Sequence, residues 1–287
     1  MQSSPLDAPF GVRIHLDSDQ PLDEAERSEL RRLYAAHGLL VVRDHDISPE
    51  QQVDLLAPLG RIEPDETGRP MLMEVTNQHD QTSAPAGEIR FHFDYAYDPA
   101  PVPGISLYGS LIDGDVTSTC FVSSSSVLDR LPPDLVERLR GLDAAHTCFL
   151  RRLDAPKERS VEPDPLIPRG QEGWGPEHYW TNHPVIWKNV FGEETLFVCL
   201  EYTDRILGLP RAESDALLEE LYTHLYDPAY VYEHRWRTHD LVIFDNITLQ
   251  HARLSPNDRP RTLRRFHLSD TDLTADYLRV AREKRLV

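Results

Sequence analysis

Three cysteines in 287 residues, Cys120, Cys148 and Cys199, are too few for a disulfide framework, and no two of them form a Cys-x-x-Cys metal pair. This scarcity suits a reducing compartment, so a cytoplasmic protein is expected. No apolar run approaches the roughly 20 residues of a membrane span. Asp7, Arg13 and Asp17 break up the start of the chain, where a signal peptide would carry its apolar stretch. No membrane partner is expected. Positive charge is short as well: 30 Lys and Arg stand against 48 Asp and Glu, a formal charge of −18. Proteins that bind a duplex concentrate positive charge to displace counterions from phosphate, so this balance argues against nucleic acid as the main partner. Repeats with a period of roughly 20 to 50 residues are also missing, which removes solenoids and propellers. What is left is an acidic, soluble globular protein with a small-molecule partner, as an enzyme or a binding domain. A homo-oligomer is compatible with this reading.

What is present begins with an apolar stripe at helical spacing from Leu22 to His37, with Asp23 and Glu24 at its start and Gly38 as its stop. Leu39 to Val42 is a short apolar run of strand type. Ser48-Pro49-Glu50 opens a second helix, with proline at its first position, running toward Gly60. Met71 to Thr76, Arg90 to Tyr97, Ile105 to Leu111, Cys120 to Val122, Leu196 to Leu200, Leu241 to Phe244 and Thr262 to Leu268 read as strands. Further helices are expected around Val127 and Leu128 behind four serines, from Ser214 to Leu225, and from Asp272 to Arg285. The segments from Asn77 to Gly87 and from Ala155 to Trp180 are expected as loops that could serve as lids. Helices at both ends with many short strands between them do not make a βαβ alternation. The expected fold is mainly β with flanking helices, built on a double-stranded β-helix (jelly roll, cupin-like) core, with residues 1–287 as a single domain.

The chemistry starts at Phe91-His92-Phe93-Asp94. On a strand, residues i and i+2 face the same side, so an imidazole and a carboxylate would project together. They supply two of the three ligands of a facial 2-His-1-carboxylate site for non-haem Fe(II). His251, beyond the apolar strand Leu241 to Phe244, is the natural third. A second His-x-Asp, His15-Leu16-Asp17, has no flanking strand and reads as surface. Ten residues after His251 comes Arg261, followed by Arg264 and Arg265; on a strand Arg261, Leu263 and Arg265 share a face. A buried guanidinium needs an anion and pairs with a carboxylate through two hydrogen bonds. The same residues also fit a solvated basic edge. Tyr95, Tyr97, Trp180, Trp187 and Trp236 are mostly expected in the core.

Taken together, these patterns resemble the taurine dioxygenase/2,4-D dioxygenase (TauD/TfdA) family of Fe(II)- and 2-oxoglutarate-dependent oxygenases. The most specific stretch is His234-Arg235-Trp236-Arg237-Thr238-His239-Asp240-Leu241-Val242-Ile243-Phe244-Asp245-Asn246, leading to Gln250-His251; His183-Pro184-Val185 and Leu196-Phe197-Val198 also match. The resemblance implies that His92, Asp94 and His251 ligate iron, that Arg261 and Thr119 bind the distal carboxylate of 2-oxoglutarate, and that Arg265 faces an acidic group of the substrate. It further implies O2 as oxidant, decarboxylation of 2-oxoglutarate to succinate, and oxidation of a small anionic or amino-acid-like substrate. Hydroxylation is the first expectation; desaturation or ring formation in secondary metabolism, or a non-oxygenase metal protein that binds a small acid, are the alternatives. Three departures stand out. Phe91 replaces the family's usual Trp before the first histidine, and Phe244 replaces the Trp of its W-D-N. Glu88 replaces an Asn that contacts substrate in the taurine enzymes, which puts taurine in doubt; Glu88 reads either as a candidate substrate contact or as a solvated loop residue.

Overall fold

The computed structural model describes residues 1–16, 21–79, 87–149, 178–189, 191–256 and 258–270, with the side chains of 148–149, 178–180 and 269–270 outside the description. Its strands, in chain order, are β1 (Gln2–Pro5), β2 (Val12–His15), β3 (Leu39–Val42), β4 (Arg61–Ile62), β5 (Met73–Thr76), β6 (Ile89–His92), β7 (Gly104–Ile112), β8 (Thr119–Ser123) and β9 (Asp143–Phe149). They continue with β10 (His178–Pro184), β11 (Ile186–Lys188), β12 (Glu194–Leu196), β13 (Thr203–Ile206), β14 (Tyr232–His234), β15 (Leu241–Asp245), β16 (Leu249–Arg253) and β17 (Arg261–Asp270). The helices are α1 (Glu24–His37), α2 (Pro49–Leu56), α3 (Pro133–Leu139) and α4 (Arg211–Leu225).

Two sheets frame the molecule. The larger runs β1-β2-β3-β15-β7-β17-β4, with β5 also on β17, and the smaller runs β14-β8-β16-β6. This is the expected mainly β, double-sheet jelly roll. The run Leu39 to Val42 is apolar at every position because both faces of β3 are covered. Leu39 and Val41 point between the sheets, beside Ile105, Phe121 and Phe244. Leu40 and Val42 point the other way, onto Leu30, Leu33 and Leu56 of α1 and α2. Both helices begin as their sequences require. In α1, the Asp23 Oδ1 accepts from Glu26 N at 2.9 Å while Glu26 Oε2 accepts from Asp23 N at 3.1 Å. In α2, Ser48 and Gln51 make the same reciprocal pair, with Pro49 at the first helical position. Gly38 ends α1 at φ 65°, a left-handed conformation that glycine adopts without penalty. A further layer, α3 and α4 over β9 and β11 to β13, buries Leu135, Leu139, Val185, Ile206, Leu217 and Leu221.

Several elements differ from expectation. No helix forms at Val127 and Leu128: Ser123 Oγ accepts from Ser126 N at 3.1 Å, which closes a turn there, and the helix starts only at the proline pair before Asp134. α2 stops at Leu56 and the strand at Leu196 ends there. β6 stops at His92, so Asp94 lies in a turn. The loop at 155–176 and the helix at 272–285 lie outside the described residues, as does most of 77–87. Among the described residues no helix is long and apolar enough to cross a membrane.

Candidate metal centre

Two distant parts of the chain, residues 92–94 and 246–251, meet between the sheets. β16 pairs with β6 so that His251 stands directly opposite His92. Directly opposed residues share a face, and the two imidazole rings lie 4.2 Å apart. His251 is flanked by Phe121 and Phe244, whose rings lie 6.3 and 4.9 Å from its own. Asp94 joins from the turn after β6. Its backbone is gripped by the fully buried Asn246: Asp94 N donates to Asn246 Oδ1 at 2.9 Å, and Asn246 Nδ2 donates to Asp94 O at 3.0 Å and to Val102 O at 2.7 Å. The grip holds the next residue, Tyr95, at φ 60°, a region that non-glycine residues rarely occupy.

One ligand atom from each of His92, Asp94 and His251 lies within 4.8 Å of the others. His92 Nε2 is 3.2 Å and His251 Nε2 3.8 Å from Asp94 Oδ1. Ligands at right angles on a metal at about 2.1 Å stand roughly 3 Å apart, so the spacing is of the right order. The donor set fits a cation for a second reason. His92 Nδ1 lies 2.8 Å from the Arg90 carbonyl oxygen, which can only accept, so Nδ1 carries the proton. With Nδ1–H given to Arg90, Nε2 faces a carboxylate oxygen, and either a proton or a metal cation between the two satisfies both.

Electrostatics keep Asp94 and His251 in forms able to bind a cation. Burial would raise the Asp94 carboxyl, but the His92 contact, Arg265 and His251 outweigh it and hold the group well below the usual carboxylate range. Burial, and then the neighbouring His92, pulls His251 down to about 3, so its ring is neutral at physiological pH. Arg265 Nη1 donates to the second Asp94 oxygen, Oδ2, at 3.2 Å, and Arg265 Nη2 approaches Met73 Sδ at 3.6 Å. His267 lies alongside, its Nδ1 3.1 Å from Glu63 Oε2 and its Nε2 3.8 Å from Asp94 Oδ2.

Arg261 enters from β17 in the larger sheet and reaches Thr119 on β8 in the smaller one: Nη2 donates to Thr119 Oγ1 at 3.2 Å. It is 3% exposed, its Nε has no partner, and no carboxylate pairs with it among the described residues. Burial, and then the nearby Arg253, draws its guanidinium down to about 9. It remains a cation at neutral pH, with no carboxylate beside it among the described residues. The basic cluster is therefore no solvated edge; Arg264 is buried too, on the opposite face of β17, where Gln52 Oε1 and the Ile47 carbonyl accept from it.

The site thus brings together His92, Asp94, His251, Thr119, Arg261 and Arg265. Glu88 is exposed, just ahead of β6. His15 is exposed and paired with Ser4, and Asp17 lies outside the described residues. Trp187 and Trp236 are buried as expected, whereas Tyr95 and Tyr97 are only partly so. Sequence reasoning gave no role to Asn246 or Trp236, although both lie in the matched block, and no role to Glu63 or His267. For Asn246 the available signal was its place just after an apolar strand, where an Asp-Asn pair ends the run.

Comparison with known proteins matches residues 2–267 to the family described as "Taurine catabolism dioxygenase TauD, TfdA family". The (S)-phenoxypropionate/alpha-ketoglutarate-dioxygenase of Sphingobium herbicidovorans is 25% identical over 260 residues, 86% of this chain and 87% of that protein. The alpha-ketoglutarate-dependent 2,4-dichlorophenoxyacetate dioxygenase of Cupriavidus pinatubonensis is 25% identical over 270 residues, 87% of this chain and 90% of its own. Among solved structures, AAD-2 in complex with Mn(II) and N-oxalylglycine has a TM-score of 0.73 at 21% identity, covering 94% of this chain and 98% of that one. A taurine dioxygenase from Burkholderia xenovorans has a TM-score of 0.72 at 23% identity, covering 94% and 90%. At these identities the structural likeness speaks for the fold, while the family match runs nearly the length of the chain: this protein belongs to the TauD/TfdA family of 2-oxoglutarate-dependent dioxygenases.

Proposed function

We propose that His92, Asp94 and His251 hold the ferrous ion of this dioxygenase, that Arg261 and Thr119 receive the distal carboxylate of 2-oxoglutarate, and that the primary substrate is a small acid or amino-acid-like compound. The bound metal, with O2 and 2-oxoglutarate, supplies the oxidising power for attack on a substrate C–H bond, with succinate and CO2 as co-products. The protein's part is to hold ligands and co-substrate in place. His92 is oriented by its bond to Arg90, and Asp94 by Asn246 and Arg265. Thr119 lies two residues along β8 from Phe121, the residue opposite His251, and so about 7 Å along the strand from the metal ligand's partner. That separation suits a short diacid chelating at one end and held at the other. The single observation that carries this reading is the buried Arg261 cation, which has no carboxylate partner among the described residues and donates to a hydroxyl two residues along β8 from the residue opposite His251.

For the primary substrate, Arg265 supplies positive charge next to Asp94, and Glu88, exposed just ahead of β6, is the proposed contact for the substrate's polar end. Relatives named for phenoxypropionate and 2,4-dichlorophenoxyacetate act on small acids, and Pentalenolactone F synthase of Streptomyces arenae, 27% identical over 192 residues, extends the range to secondary metabolites. Hydroxylation is the proposed outcome. The whole chain is read as one oxygenase domain. Cys120 and Cys199 are both buried, which suits the cytoplasm. The test is Fe(II)- and O2-dependent succinate formation across aryloxy acids, sulfonates, amino acids and their derivatives. A substrate gives succinate and oxidised product in near-equal amounts. Failure of Fe(II) plus 2-oxoglutarate to give the visible charge-transfer band of the anaerobic chelate would refute the reading.

A further inference from the structure

Trp236 is buried at 5% exposure, and its indole Nε1 donates to Thr119 Oγ1 at 3.0 Å. The same oxygen accepts from Arg261 Nη2 at 3.2 Å. Indole N–H and guanidinium N–H are donors only, whereas a threonine hydroxyl has two lone pairs and one proton. Both Thr119 lone pairs are therefore occupied, and no described residue accepts its proton. A buried hydroxyl in this state has one interaction left to offer, as a donor. We propose that Trp236 is a positioning residue that sets the hydrogen-bond polarity of the 2-oxoglutarate pocket: by filling the second lone pair of Thr119, it turns that hydroxyl outward as a donor and so selects an ionised carboxylate over a neutral polar end group.

The surroundings hold Trp236 in that task. His234 stands opposite Thr119 in the β14–β8 pairing, and two residues later the chain turns Trp236 back toward the same hydroxyl. The His234 ring meets the indole edge-on at 4.5 Å, and His234 Nε2 lies 3.2 Å from Asp240 Oδ2. Asp240, fully buried, also accepts from Arg43 Nη1 and from Arg237 N, both at 2.9 Å. The Arg261 guanidinium lies 5.7 Å from the indole ring, so the same side chain lies beside the pocket's cation. The His-Arg-Trp and Asp240 of the matched block thus form one support, ending on Thr119.

This inference rests on Thr119 and Arg261 holding 2-oxoglutarate, and the experiment separates the two ideas. In the full-length Fe(II) enzyme, Trp236→Phe keeps the buried ring and removes only the N–H. The freed Thr119 lone pair no longer forces the proton outward. The expected result is a rise of about tenfold, the size of one buried hydrogen bond, both in the Kd for 2-oxoglutarate read anaerobically from the charge-transfer band and in its KM, with kcat within about twofold. The preference for 2-oxoglutarate over its 5-carboxamide analogue should narrow by a similar factor. Thr119→Val should raise the same KM, and Trp236→Phe should add nothing in the Thr119→Val background, since the indole acts through the hydroxyl. A Trp236→Phe effect that persists there, or an unchanged preference against the carboxamide, overturns the inference. If Thr119→Val and Arg261→Met both leave the KM for 2-oxoglutarate unmoved, the pocket itself has been misplaced. Should Trp236→Phe fold poorly, Thr119→Ser decides: it keeps the hydroxyl, and its KM and carboxamide preference should match wild type, whereas values like those of Thr119→Val overturn the inference.

Discussion

Asn246 offers the sharpest test of how the proposed metal centre is built. It touches no ligand atom, yet its side-chain amide holds both backbone groups of Asp94 and the carbonyl of Val102 through bonds of 2.9, 3.0 and 2.7 Å. Asn246→Ala leaves one donor and two acceptors without partners in a fully buried place. Each such loss costs about 1–3 kcal/mol if the group stays dry, and water entering the space left by the amide would reduce the sum. The grip also holds Tyr95 at φ 60°, a conformation that costs a non-glycine residue about 1–2 kcal/mol. Released, the turn relaxes and the Asp94 carboxylate no longer rests beside His92 and His251. Loss of an outer support of this kind weakens metal binding by roughly 10–100-fold. The assay is anaerobic calorimetric titration of the apoprotein with Mn(II) or Fe(II), with far-UV circular dichroism confirming that the fold is retained. Asn246→Asp is the informative companion: it keeps an acceptor for Asp94 N, loses the donor to both carbonyls and adds a negative charge, so it should bind metal more weakly than wild type despite being nearly isosteric. A folded Asn246→Ala variant that binds Mn(II) within twofold of wild type refutes the reasoning.

Two further predictions concern stability. Burial raises the Asp245 carboxyl from 3.8 to about 6 in spite of hydrogen bonds from Ile247 N, Asn189 and Thr248 N. The folded form holds its proton more tightly than the unfolded chain, so stability is greatest below the unfolded value and falls as pH rises through the window from 3.8 to about 6. At 1.36 kcal/mol per unit, (6 − 3.8) × 1.36 gives a loss of about 3 kcal/mol. Asp245→Asn should remove this slope, gaining on wild type by about 2 kcal/mol as pH rises from 4.5 to 7.5, since part of the loss has already occurred below pH 4.5; a difference in urea unfolding free energy that does not change with pH would count against it. At Gly104, a Cβ would stand 2.6 Å from the Tyr34 hydroxyl and 2.7 Å from Leu268 Cδ1, in the seam between β7 and α1. Gly104→Ala should lower stability by about 1–3 kcal/mol through overpacking, read as a fall in Tm with the metal affinity unchanged.

How much of this could be read from the sequence depends on what each feature is made of. β3 and β15 announced themselves as continuous apolar runs because each is buried on both faces, and they pair directly, Leu241 with Val42 and Phe244 with Leu39. The caps of α1 and α2 were legible because capping is local chemistry between residues three apart. By contrast, β9, Asp-Ala-Ala-His-Thr-Cys-Phe, carries neither clean alternation nor turn signals, and its strand character comes from β10 and β13 on either side of it. α3 lacks any side-chain cap, so nothing local marked its start.

The site divides along the same line. His92, Asp94, His251, Thr119 and Arg261 were named because they match a family's pattern, yet the reason first offered for His92 and Asp94 meeting, alternation along a strand, does not hold. β6 ends at His92, and Asp94 is aimed by an asparagine 152 residues away in sequence. That contact is tertiary and leaves no local trace. The same holds for Arg261 and Arg265. Spacing alone left them poised between a solvated edge and an inward pair, and the decision came from where β17 lies: inside the larger sheet, between β7 on one side and β5 and β4 on the other. A strand so placed has no solvated edge. Of the inward pair, Arg265 is neutralised by Asp94, and Arg261 has no carboxylate partner among the described residues. The unpartnered one is informative because folding buried a charge and left it without a counterion, a debt that a bound diacid can settle. Co-substrate should then raise the thermal stability of the metal-loaded enzyme, and this gain should be lost with Arg261.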